Sequence, residues 1–578
     1  MRQTVFLLLA AWLGMTGAQA GLPLSGPECG NGEFQFSAEF DNRGVDGGPA
    51  RRFTAYLWIP PSAKKVRGIL VTQQNVGEQR FVEHPAIRAI CARNEFAILW
   101  CLPAIDLRFE HDREGAVRLL EEVLRELGKM SGYPEVATVP WIPFGHSTTT
   151  TFARNLAEAR PERTIAIISA KGGIMLPVTG SFPGVYSGGQ YPEWRQPTHD
   201  WTTHGRSLPG LKKIRDELNA RWRPVSYVEE FGGGHFDYTE RYLGFLALYI
   251  DRMVAHRLNA DGTLRAIGNH EGWVVDMPSP LPTAPLRIEP LEEATGALRA
   301  APWFVDLDLA QAAVALMDDG RWDRRNQIVA FANLDGTPAA FSNSGIVDPV
   351  PCEIAADGVT ITRIETTLLD RLPDNFTQAG MALTHATGGT RTIERISGVF
   401  MAEDGRYRIE LNRGYPHTPN FIAVRHPGDA QHRPSVQPGR FVPPVHDGRE
   451  QRIRFDPITD HVVGVKSLAL RATSNSGLKV RFFVRSGPAK VVGDKLVFLP
   501  LPTRAKLPVT VSIVAWQIGR GGEDPVAAAP MVEQSFQLRA QSGEGGAQAV
   551  PAKAAGGLAT ESDVVQPVDT LRQPGAAR

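Results

Sequence analysis

VPWIPFGHSTTTTF, Val139 to Phe152, decides how the rest of the chain is read. A short apolar run, Val139 to Phe144, meets Gly145-His146-Ser147 and then Thr148 to Thr151, after which Ala153 to Arg160 reads as a helix. That order is strand, sharp turn, helix. A serine on such a turn is pushed clear of its neighbours, and the helix N-terminus favours negative charge developing beside it. Small residues flank a turn of this kind because the backbone passes close to itself. Gly145 supplies one of them, but the position two after Ser147 is Thr149, where the pattern G-x-S-x-G has glycine. A G-x-S tripeptide by itself is common and usually marks an ordinary turn, so the surrounding chain has to decide.

The surroundings alternate. Phe34 to Phe40, Phe53 to Ile59 and Arg67 to Thr72 read as three strands in quick succession, an antiparallel start. His84 to Asn94 then reads as a helix, Phe96 to Leu102 as a buried strand, and Arg113 to Met130 as a long helix capped by Asp112. Val117, Leu120, Leu124 and Leu127 give that helix one apolar stripe. Beyond the turn, Thr164 to Ser169, Val185 to Ser187 and Val225 to Val228 read as strands, with helices at Leu208 to Leu218 and Thr239 to His256. Alternating strands and helices predict a doubly wound, mostly parallel α/β sheet covered on both faces, with functional groups at the carboxyl ends of its strands.

That placement makes Ser147 a candidate nucleophile. An activated serine needs an imidazole within hydrogen-bond reach, an acid to orient it, and two N–H donors for the oxyanion. Gly232-Gly233-Gly234-His235-Phe236-Asp237 lies between the last strand and the closing helix, and three glycines allow the chain to bring His235 back over the serine. The acid is expected just past Val185 to Ser187, where Glu193 is favoured over Asp200. Asp237 is the poorer choice, since near neighbours in a loop seldom turn toward one another. The backbone of Thr148 is expected to supply one oxyanion donor, and Gln74 or Asn75, in the loop Gln73 to Gly77, the other. Tyr186, Tyr191, Trp194 and Trp201 either line a substrate pocket or pack that loop down.

From about Pro278 the texture changes to Pro-rich joints and short β runs, clearest at Gln327 to Ala332, Val359 to Glu365, Arg391 to Ile396, Tyr407 to Leu411 and Phe421 to Val424. A helix is expected at Leu309 to Met317 behind Asp308. Farther on, Val480, Phe482 and Val484 alternate with their neighbours, Gly493-Asp494 makes a hairpin turn, and Val509, Val511, Ile513 and Ala515 share a face, the pattern of a small antiparallel sandwich. The expected division is a signal peptide over 1–20, an α/β domain over 21–277, a β-rich accessory domain over 278–445, a sandwich over 446–540 and a disordered tail over 541–578.

Met1 to Ala20 has a basic start at Arg2, an apolar core from Val5 to Leu13 and the ending Ala18-Gln19-Ala20, which predicts export to the periplasm or beyond. No membrane span is expected, because that apolar run is too short to cross a bilayer. The 62 basic and 62 acidic residues balance, which argues against a nucleic-acid partner. Export permits disulfides, and Cys29, Cys91, Cys101 and Cys352 allow three pairings, although Cys91 and Cys101 also suit buried free thiols. No metal or other cofactor is expected. His84, His111, His199 and His204 lack zinc-hydrolase spacing, and no phosphate-binding glycine loop occurs.

The serine turn, the glycine-flanked late histidine, the strand AYLWIPP and the βα alternation together resemble the α/β-hydrolase superfamily over about Phe34 to Arg257. Within it, the chain is similar to secreted bacterial serine esterases of the carbohydrate-esterase kind and, less closely, to polyhydroxyalkanoate depolymerases. The resemblance implies a carboxylic ester hydrolase with Ser147 as nucleophile, His235 as base and Glu193 as acid. The expected substrate is a small or polysaccharide ester, since a multi-domain exported chain with β-sandwich appendages suits an insoluble target. The segment SNSGLKVRFFVRSGPAKVVGDKLVF resembles bacterial Ig-like modules appended to secreted enzymes. The competing expectation is an exported, non-catalytic surface or carbohydrate-binding protein with a degenerate hydrolase domain.

Overall fold

The computed structural model describes residues 33–172, 182–191, 224–276, 286–317, 324–403, 405–444 and 446–541. The expected signal peptide, Cys29, Glu193, Trp194, Asp200, Trp201, the helix expected at Leu208 to Leu218 and all but the first residue of the expected tail lie outside them.

Eight strands form the first sheet in the order β1-β2-β4-β3-β5-β6-β7-β8. They are β1 Phe36–Asp41, β2 Arg52–Trp58, β3 Gly68–Gln73, β4 Phe96–Leu102, β5 Trp141–His146, β6 Ile167–Ala170, β7 Gly184–Tyr191 and β8 Val225–Gly234. β2 runs antiparallel to both β1 and β4, and every pairing from β4 through β8 is parallel. An antiparallel start, a crossover between the third and fourth strands and a parallel remainder make the N-terminal part an α/β-hydrolase-like fold.

The continuous apolar runs of the central strands follow from having two buried faces. On β4, Ile98 and Trp100 enter one core while Leu99 and Cys101 enter the other. The helices α1 Glu78–Glu83, α2 Pro85–Arg93, α3 Arg113–Ser131, α4 Thr150–Ala159, α5 Glu240–Arg257 and α6 Leu307–Met317 cover them. α3 lays Val117, Leu120, Leu124 and Leu127 on the sheet; each such side chain buried contributes on the order of 2 kcal/mol. Asp112 caps it by accepting from Gly115 N–H at 2.9 Å, and it ends at Gly132 in a left-handed conformation. Cys91 and Cys101 are buried free thiols in opposite cores, and Cys352 is also free. Burial pushes the Cys91 thiol up to about 12.

Several boundaries differ from expectation. The helix read as His84 to Asn94 is preceded by α1, whose six residues are too few to show a period. β8 runs through Gly232-Gly233-Gly234, which were expected in a loop, because pairing of Tyr191 with Gly234 carries the ladder across them. α6 is capped by Asp306, which accepts from Leu309 N–H at 2.9 Å, while Asp308 pairs with Arg252. Nor does the first core stop at residue 277: Leu309, Ala313 and Met317 pack in the same cluster as Leu243, Leu246 and Ile250 of α5.

The β-rich region is built on small sheets, one with the order Thr392–Ser397, Phe421–His426 and Ser435–Arg440. After it, sheets of four, three and two strands enclose an apolar cluster that includes Phe482, Val484, Val511, Ile513 and Ala515. The hairpin between Ala489–Val492 and Lys495–Phe498 turns at Gly493-Asp494. Phe483, Val514 and Trp516 face the other way and pack on the β-rich region, so the alternation marks two packed faces.

Candidate active site

β5 delivers the chain into a single turn of 3-10 helix, Ser147–Thr149, and then α4. Ser147 sits at φ +55°, a left-handed conformation costing roughly 1–2 kcal/mol for a residue with a Cβ. Gly145 is required here, since a Cβ on it would overlap the backbone of Thr149. The second glycine of the usual pattern is absent, and its room is found elsewhere. Gly172, just after β6, lies so close that a Cβ would overlap Ser147 O and the side chain of Thr150. Thr149, in the glycine's place, uses its hydroxyl: it accepts from His146 N–H at 2.8 Å and bonds the carboxylate of Glu78.

His235 follows directly on β8, and its Nε2 lies 3.0 Å from Ser147 Oγ. Both residues are half-buried, which leaves the pair accessible. The structure thus brings together the two residues that the sequence places 88 positions apart. The carbonyl of His235 accepts from His146 Nε2 at 2.9 Å, so His146 carries its proton on Nε2. Burial, against that hydrogen bond and aided by the charge of Lys171, lowers His146 to about 4 and keeps it neutral. Its Nδ1 has no hydrogen-bond partner among the described residues.

Glu78 was not anticipated from sequence. Its Oε2 accepts from Asn75 N–H at 2.9 Å and Val76 N–H at 2.8 Å, and its Oε1 from His146 N–H at 3.2 Å and from Thr149. One buried carboxylate therefore ties the loop after β3 to the serine turn. Burial raises its pKa above the ordinary value despite these four donors. An acidic residue in a first helical turn is too ordinary to have flagged it.

The oxyanion candidates separate. Gln74 is buried: its N–H donates to Cys101 O at 2.9 Å, its side-chain oxygen accepts from Trp100 and from Gln79 N–H, both at 3.2 Å, and its Nε2 donates to Val76 O at 3.2 Å. Asn75 has a committed backbone N–H, but its Nδ2 spends only one hydrogen on His146 O, at 3.2 Å. Thr148 is half-buried at the second position of the turn. Tyr186 and Tyr191 are buried. Asp237 is also accounted for. It is buried and bound by Arg425 Nη2 at 2.5 Å, and although burial disfavours its charge, Arg425 and Lys171 hold its pKa below the ordinary value.

Behind the site, Lys171 and Glu230 form a fully buried ion pair, with Glu230 also bonded to Thr239 at the start of α5. Each charge is tolerable there because the other is present. Among the described residues no group of three or more His, Cys, Asp or Glu side chains is placed to hold a metal ion. No helix among them is long and apolar enough to cross a membrane.

No protein-family model matches the chain. No curated protein matches it in sequence. Among solved structures, a dienelactone hydrolase from Anabaena variabilis is similar at 17% identity, covering 40% of this chain and 99% of its own, with a TM-score of 0.27. The siderophore hydrolase EstA from Aspergillus nidulans is 13% identical over 38% of this chain and 95% of its own, with a TM-score of 0.28. LpqC, a poly(3-hydroxybutyrate) depolymerase from Bordetella parapertussis, is 14% identical over 40% and 92%, with a TM-score of 0.27. Likeness at this level assigns no chemistry, which has to rest on the geometry of the serine turn.

Proposed function

We propose that this chain is an exported serine hydrolase that cleaves carboxylic esters through an acyl-enzyme. The observation that carries the reading is the 3.0 Å approach of His235 Nε2 to the hydroxyl of Ser147, held at positive φ on the strand-to-helix turn. As Ser147 Oγ attacks the ester carbonyl carbon, its proton passes to His235 Nε2. The carbon–oxygen bond to the leaving alcohol breaks, and the alcohol departs with that proton. Water then attacks the acyl-enzyme and gives a proton to His235. The bond to Oγ breaks, Ser147 recovers its proton and the acid is released.

Thr148 N–H and the remaining amide hydrogen of Asn75 are the proposed oxyanion donors, with Gln74 the alternative to Asn75. Glu193 is the proposed acid, with Asp200 the alternative. Tyr191, two residues before Glu193 in the sequence, pairs with Gly234, the residue before His235. Acylated polysaccharides are the proposed substrates, because an exported chain with β-rich appendages suits an insoluble target, and the C-terminal sheets are read as an Ig-like sandwich that spaces or binds. The test is release of p-nitrophenol from its acetate, then of acetyl, feruloyl and longer acyl groups from polysaccharide esters. Wild type should turn over while Ser147→Ala and His235→Ala do not. A wild type inactive on all of them would favour the non-catalytic binding protein.

A further inference from the structure

We propose that the β-rich region completes the active centre, with Arg425 as the positioning residue that braces the segment carrying His235. This rests on the hydrolase reading. The segment Gly232 to Asp237 begins with three glycines, which have no side chains to pack and lose the most conformational freedom on ordering. Something outside it has to hold it. One guanidinium grips both of its ends: Arg425 Nη1 donates to Gly232 O at 3.2 Å, and Nη2 donates to Asp237 Oδ1 at 2.5 Å. His235 is the fourth of those six residues. Arg425 is oriented in turn by Glu394, which accepts from its Nε at 3.2 Å and Nη2 at 3.0 Å.

The brace is apolar as well as charged. Arg425 lies on the strand Phe421–His426, and Phe421 on that strand stacks on Phe236, the residue after the histidine, with centroids 4.9 Å apart and planes 12° apart. A Cβ on Gly232 would stand 3.0 Å from the side chain of Pro434, so the β-rich region packs closely on the segment there. Val76 after β3, Tyr191 at the end of β7 and Phe236 after β8 share one apolar cluster with Ala330, Phe421 and Val436. Three segments at the carboxyl edge of the sheet thus pack against a single partner. Arg80 of α1 adds a fourth tie, donating to Arg395 O at 2.5 Å.

The test uses the full chain with Arg425→Met, which keeps much of the bulk and removes the charge, Arg425→Lys, which restores the charge, and Asp237→Asn. The measurements are kcat and KM on p-nitrophenyl acetate, thermal melting, and backbone hydrogen exchange in 232–237 against α5. In Arg425→Met, kcat should fall on the order of tenfold to a hundredfold with KM little changed, since a misplaced base costs turnover rather than binding. Exchange in 232–237 should rise while α5 keeps its protection, and Lys should recover part of both. Asp237→Asn should loosen the same six residues, and it carries the test should Arg425→Met melt without cooperativity. Exchange in 232–237 and kcat both within about twofold of wild type in the folded variants would overturn the brace. If wild type itself proves inactive, the hydrolase reading fails while the exchange comparison still decides whether Arg425 holds the segment.

Discussion

Replacing Glu78 separates two roles that a buried carboxylate beside a nucleophile could have. In Glu78→Ala, the half-buried N–H of Asn75 and the buried N–H of Val76 lose their common acceptor. Each unsatisfied donor costs about 1–3 kcal/mol, so the variant should lose roughly 2–6 kcal/mol. His146 N–H and Thr149 lose less, because they still bond each other at 2.8 Å. The loop after β3 and the serine turn should drift apart, and turnover should fall with stability. Glu78→Gln is the informative variant. Its amide oxygen can still accept from both loop N–H groups, and the Thr149 hydroxyl can rotate to accept from the new NH2, so the cost should stay within about 1 kcal/mol. The assay is urea unfolding beside kcat on p-nitrophenyl acetate. A Gln variant that melts like wild type yet loses as much turnover as the Ala variant would refute the reasoning, because the charge of Glu78 would then act in the chemistry itself.

Restoring the usual glycine at position 149 should harm rather than help. Thr149→Gly removes the hydroxyl that His146 N–H and Glu78 use and should destabilise by roughly 1–3 kcal/mol, read by urea unfolding; a gain in stability would contradict the role given to Thr149. His146 should make the fold acid-sensitive. Its pKa is lowered from 6.5 to about 4, so its neutral form is fully compatible with the fold above 6.5, and stability falls as the pH drops toward 4 and the unfolded chain takes up a proton that the folded chain refuses. Between pH 7 and 5 that loss should reach roughly 2 kcal/mol. Urea unfolding of wild type and a folded His146→Gln should show the extra slope in wild type alone; equal slopes would contradict it.

What was legible in the sequence was local. The serine turn, the antiparallel start, the parallel strands and the long helix each announce themselves through apolar runs, a cap or a stripe within about twenty residues. Ser147 and His235 could be paired from afar because each sits at a recognisable strand end. Arg425 could not, since its bond to Asp237 spans 188 positions and no neighbouring residue marks it. Glu78 was hidden for the opposite reason, its local setting being unremarkable while its four donors arrive from two separate loops. That the Gln74 N–H is taken by Cys101 O was hidden as well, because polarity alone cannot reveal which amides the sheet uses. The β8 glycines were misassigned because low strand propensity was overruled by pairing with β7.

Mapping a fluorophosphonate adduct by mass spectrometry tests the central claim most directly. One modification is expected on Ser147 of the wild type, none on Ser147→Ala, and slow modification of His235→Ala. An unmodified wild type, or an adduct that persists unchanged when Ser147 is removed, would contradict it.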